Sequence, residues 1–176
     1  IGLVGYPNAG KSTLLAAMTN AHPKIAAYPF TTLNPLIGTI EYDDFTKIRV
    51  ADIPGLIEGA NEGVGLGHDF LRHIERASYL VFVIDMAGTD NRKPQDDYKN
   101  LRKELKLYRP DLEHRPFLVI ANKMDAEGAK KNLTAFKRST KTKPIAIAAA
   151  TGDDIPELKQ LFYEWKRGLR YVDQPA

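Results

Sequence analysis

Short apolar runs alternate along the chain with segments whose apolar residues recur every three or four positions. The runs are typical of buried strands, and the spaced segments are typical of helices that bury one face, as Leu14, Leu15 and Met18 do. We expect strands at residues 1–4, 38–42, 47–52, 79–85, 115–122 and 144–149, and helices at 11–21, 67–77, 95–108, 126–139 and 155–167. The alternation predicts an α/β fold, with a mostly parallel sheet and helices on both faces.

The composition is that of a globular domain. Of 176 residues, 43% are hydrophobic and 27% are charged, which excludes a wholly disordered chain. No apolar run approaches the ~18 residues of a membrane span. The absence of cysteine excludes disulfides and thiolate metal sites and fits a reducing compartment such as the cytoplasm. The net charge of +3 is too small to indicate nucleic-acid binding by itself.

The domain organisation follows from the ends of the sequence. Because Ile1 lies inside an apolar run, we expect a domain of a longer protein, whose flanking domains lie outside this sequence. We assign residues 1–168 to this domain and 169–176 to a tail or linker.

A phosphate-binding loop follows the first strand. Residues 5–12, Gly-Tyr-Pro-Asn-Ala-Gly-Lys-Ser, have the form GxxxxGK[ST] and open a helix. Lys11 would reach the β- and γ-phosphates, and Ser12 would place its hydroxyl on Mg²⁺. The alternative, a glycine-rich turn with a surface lysine, matches four fixed positions in only about 1% of such chains. We therefore expect a nucleoside triphosphate to contact Gly5, Pro7, Asn8, Ala9, Gly10, Lys11, Ser12 and Thr13.

Two further motifs stand at predicted strand ends. In Asn122-Lys123-Met124-Asp125, the carboxylate of Asp125 would accept hydrogen bonds from N1–H and N2–H₂ of guanine, a pattern that adenine lacks. Lys123 would lay its stem across the base, and Asn122 would tie this loop to the phosphate loop. The alternative is a polar loop that caps a helix.

The second strand-end motif is Asp-Ile-Pro-Gly at residues 52–55. Asp52 would hold Mg²⁺ through water, and the N–H of Gly55 would meet the γ-phosphate. The alternative is an ordinary strand-end turn, since Asp, Pro and Gly are common in turns.

Together with these motifs, several longer stretches resemble the Obg family of ribosome-associated GTPases over residues 1–168. The stretches are Tyr-Pro-Phe-Thr-Thr-Leu at 28–33, Asp-Ile-Pro-Gly-Leu-Ile-Glu-Gly-Ala at 52–60, Gly-Val-Gly-Leu-Gly at 63–67 and Phe-Leu-Arg-His-Ile-Glu-Arg at 70–76. The resemblance implies a Ras-like P-loop GTPase domain with six strands, one of them antiparallel. It also implies Mg²⁺-dependent hydrolysis of GTP to GDP, action in assembly of the large ribosomal subunit, and sensitivity to guanosine tetraphosphate.

The same resemblance assigns individual residues. It makes Thr32 the switch threonine whose hydroxyl joins Mg²⁺ in the GTP state. Ala148 and Ala149 stand where the family usually reads Ser-Ala, and the backbone N–H of Ala149 would contact the base. The missing serine at position 148 puts the rigidity of this loop in doubt.

The expected catalysis is slow. Leu56 follows Gly55 at the position where Ras-like proteins use a glutamine to orient water, and leucine has no polar group. Asn8 matches an asparagine that holds K⁺ against the phosphates in related GTPases; the alternative is that it only stabilises the loop turn. Five glycines between residues 55 and 67 predict a segment that orders with the γ-phosphate. The predicted catalytic residues are Lys11, Thr32, Gly55 and Asn8.

Two interpretations stay open. A run of cations without acids is either an electrostatic footprint for ribosomal RNA or a solvated helix face. The run consists of Lys130, Lys131, Lys137, Arg138, Lys141 and Lys143. The alternative function is a P-loop kinase that uses ATP, or another NTPase without guanine specificity, against which Asp125 argues.

Overall fold

The computed structural model describes residues 1–19, 23–25, 35–53, 76–108 and 110–168. Within them, the strands are β1 (Gly2–Val4), β2 (Lys24–Ile25), β3 (Leu36–Glu41), β4 (Lys47–Asp52), β5 (Leu80–Asp85), β6 (Phe117–Asn122) and β7 (Ile145–Ala146). The α-helices are α1 (Lys11–Met18), α2 (Pro94–Tyr108), α3 (Ala129–Thr140) and α4 (Ile155–Lys166). Two 3₁₀ helices, Thr89–Asn91 and Pro110–His114, flank α2.

The strands form one sheet in the order β2-β3-β4-β1-β5-β6-β7. β1 pairs in parallel with β4 and β5, and β6 continues the parallel arrangement to β7. β3 pairs antiparallel with both of its neighbours, so it alone is reversed among the described strands. The predicted mostly parallel sheet with one antiparallel strand is therefore confirmed.

The predicted number of six strands is wrong, because the described residues form seven. The additional strand, β2, has two residues, both exposed, and pairs with the start of β3. So short a strand carries no detectable alternation. At the other edge, only Ile145 and Ala146 of the predicted run 144–149 form β7.

The two faces of the sheet carry two separate cores. Leu80, Phe82 and Ile84 of β5 pack with α2 and α3, whereas Val81 and Val83 pack with α1 and α4. Because every residue of β5 is buried, this strand reads as a continuous apolar run. The prediction of helices on both faces is confirmed.

Some predicted features lie outside the described residues. They include Thr32, Gly55, Leu56, most of the helix expected at 67–77 and the tail at 169–176. The helices of the described part are too short or too polar to cross a membrane.

Candidate nucleotide-binding site

Several polar side chains meet at the carboxyl ends of the parallel strands. Asp52, Asp85 and Asn122 are the last residues of β4, β5 and β6, and the loop after β1 lies among them. Since parallel strands end at one edge of a sheet, this edge gathers the motifs that the sequence keeps far apart. All three side chains are buried although each is polar or charged.

The loop after β1 depends on glycine at two positions. A Cβ on Gly5 would lie 2.5 Å from the carbonyl oxygen of Val83, and one on Gly10 would overlap the side-chain amide of Asn122. Gly10 has φ 92° and Asn8 has φ 63°, both in the left-handed region that L-residues rarely adopt. The loop is therefore wound against β5 and β6 by close backbone contact.

Lys11 and Ser12 bring charge and a hydroxyl to this loop. The ammonium of Lys11 donates to the carbonyls of Gly5 at 3.0 Å and Tyr6 at 3.3 Å, and Nζ lies 3.9 Å from Oδ1 of Asp52. The hydroxyl of Ser12 donates to Oδ2 of Asp52 at 2.5 Å. This hydrogen bond leaves the lone pairs of the hydroxyl available to a cation.

The same cluster fits Mg²⁺. Oδ1 of Asp52 is buried and, among the described residues, accepts no hydrogen bond. Ser12 and Asp52 offer the oxygen ligands that Mg²⁺ prefers, and this ion is usually held by few protein groups together with phosphates and water. The described residues contain no cluster of three or more histidine, cysteine or acidic side chains that could hold a metal ion.

The first turn of α1 is open to an anion. Gly10 is its N-cap residue, none of the described side chains caps the helix, and no acidic residue occupies the first turn. The first amides of a helix lack partners within the helix, and its dipole favours negative charge. This end of the site is arranged for phosphate.

Asn122 joins three loops. Its side chain is buried; Nδ2 donates to the carbonyl of Ala9 at 2.8 Å, and Oδ1 accepts from the N–H of Ala149 at 3.1 Å. The phosphate loop, the Asn-Lys-Met-Asp loop and the loop after β7 are thereby held together. Because the Ala149 N–H is engaged by Asn122 here, its contact with a base stays a prediction.

Lys123 is fixed by two residues that the sequence analysis missed. Its ammonium donates to Oδ2 of Asp85 at 2.7 Å and to the hydroxyl of Thr89 at 3.0 Å. Burial opposes ionisation of Asp85, but hydrogen bonds from Lys123, Thr89 and the Ala87 amide outweigh it and lower the pKa of Asp85. The available signal was its position, since Asp85 ends a buried strand as Asp52 and Asn122 do.

Asp125 stands at the mouth of this loop with its side chain exposed. The N–H of Met124 donates to the carbonyl of Ile147 at 3.1 Å, which fixes the backbone beside it to the loop after β7. The carboxylate is free to accept from a ligand at that place.

A stacked arginine supports the phosphate loop from outside. The guanidinium of Arg92 lies 3.5 Å from the ring centroid of Tyr6. Its Nε and Nη2 donate to the buried carboxylate of Asp97 at 2.8–3.2 Å. Burial raises the pKa of Asp97, and the hydrogen bonds from Arg92 act in the opposite direction. No motif in the sequence indicated this cluster.

The other residues that are predicted to contact the nucleotide differ in their exposure to solvent. Pro7, Asn8, Ser12 and Thr13 are exposed along the loop, whereas Ala9 is buried beneath it. Thr32 and Gly55 belong to the residues outside the described part, so their roles stay predictions.

Comparisons with known proteins agree with this geometry. A sequence model of the family described as "50S ribosome-binding GTPase" matches residues 1–123. GTPase Obg of Akkermansia muciniphila is 58% identical over 159 residues, which cover 90% of this chain and 45% of that protein. GTPase Obg of Brevibacillus brevis is 53% identical over 159 residues, which cover 90% of this chain and 37% of that protein. The chain thus spans less than half the length of these two relatives.

Among solved structures, a variant of Aquifex aeolicus Era bound to GDP·AlF4⁻ is similar with a TM-score of 0.65. It is 24% identical, and the match covers 99% of this chain and 57% of that chain. This likeness independently supports the fold. The family match shows that the chain belongs to the 50S ribosome-binding GTPase family, and its sequence is similar to part of the two GTPase Obg proteins.

Proposed function

We propose that this domain binds Mg²⁺–GTP, hydrolyses it to GDP and phosphate, and acts as a switch in assembly of the large ribosomal subunit. The observation that carries the proposal is the joining of the phosphate loop to the Asn-Lys-Met-Asp loop through the buried side chain of Asn122. One ligand that contains both phosphates and guanine fits the two ends of such a site.

The phosphate end acts through charge and amides. Lys11 is 8% exposed, so its charge is weakly screened and is held over the loop by two carbonyls. The uncapped first turn of α1 binds phosphate oxygens with its amides. Ser12, Asp52 and, by family resemblance, Thr32 would hold Mg²⁺, which would supply positive charge against the phosphates.

In the hydrolytic step, water attacks the γ-phosphorus and the bond to the β–γ bridging oxygen breaks. GDP leaves with the electron pair of that bond, and both protons of the water end on the released dihydrogen phosphate. Because Leu56 cannot orient the water, intrinsic hydrolysis is slow. Asn8 has an exposed side chain that, among the described residues, forms no hydrogen bond, so it is open to a K⁺ ion beside the phosphates. Gly55 adds its N–H to the γ-phosphate.

The base end selects guanine. The exposed carboxylate of Asp125 accepts from N1–H and N2–H₂, and the stem of Lys123 covers the base while Asp85 holds its ammonium. Guanosine tetraphosphate shares guanine and the 5′-diphosphate with GDP, so we propose that it competes for the same site. The large ribosomal subunit is the proposed partner, and the cytoplasm the proposed location, from the family and the cysteine-free composition.

Single-turnover GTP hydrolysis in KCl and in NaCl at equal ionic strength tests the enzyme. We expect faster hydrolysis in KCl, loss of that difference in Asn8→Ala, and loss of activity in Lys11→Ala. Equal slow rates in both salts would refute the K⁺ role, and undiminished activity of Lys11→Ala would refute the phosphate site. In a competition assay, displacement of GTP by an equal concentration of ATP would revive the kinase alternative.

A further inference from the structure

Helix α3 and the loop after it form a densely basic surface. We call the α3 surface the exposed side chains of Lys130, Lys131, Lys137, Arg138, Lys141 and Lys143. No aspartate or glutamate occurs between Glu127 and Asp153 in the sequence. Among the described residues, no ion pair involves any member of this surface, so no described carboxylate neutralises its charges.

The helix orients these cations together. At 3.6 residues per turn, Lys130, Lys131, Lys137 and Arg138 fall within about a third of the helix circumference, and Lys141 follows as the C-cap residue. Ala129 and Phe136 are buried on the opposite arc, where Leu133 also packs against the core. With a rise of 1.5 Å per residue, the cations extend over roughly 16 Å of surface.

The opposite face of the domain is different in charge. The β3–β4 turn and the start of α4 meet around one open groove, which Glu41, Asp43 and Lys159 line. Asp153, Asp154 and Glu157 are exposed at the start of α4. Cations on that side are partly neutralised, because Lys47 pairs with Glu41 at 2.7 Å and Arg167 with Asp44 at 3.6 Å. The modest net charge of the chain therefore conceals one basic surface, whereas acidic and basic side chains are mixed on the other side.

The side chains of the α3 surface discriminate among anionic partners. Protein interfaces rely on buried aromatic or aliphatic anchors, but the large apolar side chains that are exposed in the described residues, Ile25, Phe45 and Leu107, lie outside this surface. Single-stranded nucleic acids are bound by aromatic stacking, and the aromatic residue of α3, Phe136, is buried. Lysine-rich surfaces without such groups suit the phosphate backbone of a duplex.

We propose that the α3 surface docks the domain on the phosphate backbone of double-stranded RNA. The inference rests on the proposed association with the large ribosomal subunit and specifies the face that meets its RNA. In the chain, helix α3 lies between the Asn-Lys-Met-Asp loop and the loop of Ala148 and Ala149. It contains no residue of either loop. The proposed RNA contact therefore uses none of the residues that are predicted to bind the nucleotide.

Fluorescence anisotropy with a labelled 20-base-pair RNA duplex tests this surface. The GDP-loaded chain is compared with the triple variant Lys130→Gln, Lys137→Gln and Arg138→Gln, because glutamine preserves helix propensity. The matched control, Lys47→Gln, Lys159→Gln and Lys166→Gln, removes the same charge from the other side. Single-stranded RNA of equal length, polyglutamate and phosphatidylserine vesicles serve as competing anionic ligands.

If five cations contact phosphates, affinity for the duplex falls about 500-fold between 50 and 200 mM KCl, and only about 12-fold in the α3 triple variant. The control triple variant keeps the steeper dependence, and GDP affinity is unchanged in all three proteins. Equal salt slopes for the two triple variants would overturn the proposal. So would preferential binding of single strands, polyglutamate or vesicles over the duplex.

Pelleting with purified large ribosomal subunits separates this inference from the proposed function. Subunit binding that survives in the α3 triple variant would refute the α3 surface and leave the proposed partner standing. Duplex binding through the α3 surface without any subunit binding would support the surface and refute the partner.

Discussion

The two ends of the nucleotide cleft are completed in different ways. At the base end, the side chains of Asn122, Lys123 and Asp85 are all hydrogen-bonded to the protein. At the phosphate end, no described residue donates a hydrogen bond to Oδ1 of Asp52 and no described side chain caps α1. The residues that support the base end are therefore held by the protein, which leaves the exposed Asp125 for the base, whereas the phosphate end keeps a buried carboxylate oxygen without a described hydrogen bond.

This difference predicts whether a substitution will lower folding stability, nucleotide affinity or both. A buried hydrogen bond that is lost leaves a desolvated partner behind and costs folding stability. A buried charge at a ligand site adds little to the folding stability of the free protein, because the cost of its desolvation offsets the favourable energy of its pairing. Changes at the base end should therefore lower stability and affinity together, and changes at the phosphate end should lower affinity alone.

The largest expected effect on stability is that of Asn122→Ala. It leaves the carbonyl of Ala9 and the N–H of Ala149 without their hydrogen-bond partner. The free energy of unfolding of the nucleotide-free protein should therefore fall by about 2–4 kcal/mol. Urea denaturation measures this change. Asn132→Ala is the matched control, because it loses one hydrogen bond, 2.8 Å to the carbonyl of Met86, and should cost about 1 kcal/mol. If Asn122→Ala lowers the free energy of unfolding no more than Asn132→Ala does, the proposed difference between the two ends of the cleft is wrong.

Lys11→Ala should show the reverse pattern. Loss of its charge-assisted contacts with phosphate should weaken GTP binding about 10- to 150-fold. The free energy of unfolding of the nucleotide-free protein should change by less than about 1 kcal/mol, because the substitution also removes the cost of burying the ammonium. Titration of a fluorescent GTP analogue and urea denaturation provide the two values, with the exposed Lys159→Ala as control. Destabilisation as large as that of Asn122→Ala would contradict the account.

Asp85→Asn should have an intermediate effect. Lys123 keeps its hydrogen bond to Thr89 but loses its ion pair, so GDP and GTP affinity should both fall about three- to tenfold. Because the folded protein lowers the pKa of Asp85, the stability that ionised Asp85 adds is present above its unfolded pKa of about 3.9. It is lost as pH falls below that value towards the folded pKa.

Denaturation of wild type and Asp85→Asn at several pH values checks this dependence. The difference in stability between them should shrink as pH falls from about 5 to below 3.9. A difference independent of pH across that window would mean that the charge of Asp85 contributes nothing to the base end.

The smallest expected effect is that of Arg92→Lys. An ammonium cannot stack flat on Tyr6 or bind Asp97 through two nitrogens, so stability should fall by about 1 kcal/mol. Thermal denaturation at fixed pH measures it, with the exposed neighbour Lys93→Arg as control. A loss no larger than that of the control would show that the stack adds nothing to the phosphate loop.

The sequence predicts most of the framework because its signals are local. Buried runs such as β5 and β6, and the spacing of helix α4, follow directly from hydrophobic periodicity. The phosphate loop and the Asn-Lys-Met-Asp loop are contiguous motifs, so their residues can be recognised without a structure. The strand β2 escapes prediction because two exposed residues have no periodicity.

The supporting contacts of the site are not local and could not be predicted in the same way. Asp85 meets Lys123 across 38 positions of sequence, and Tyr6 meets Arg92 only because β1 and β5 are adjacent. Such pairs depend on strand order, which no short motif records. Strand-end position was the one usable signal, and it applies to Asp85 as well as to Asp52.

Amide hydrogen exchange tests the difference between the two ends most directly. In the nucleotide-free protein, the account predicts a protected amide at Ala149, which donates to Asn122, and unprotected amides at Ser12 and Thr13 in the uncapped first turn. Addition of Mg²⁺–GDP should protect Ser12 and Thr13 and change Ala149 little. Free exchange at Ala149, or protection of Ser12 and Thr13 before nucleotide is added, would contradict the proposed difference between the two ends of the cleft.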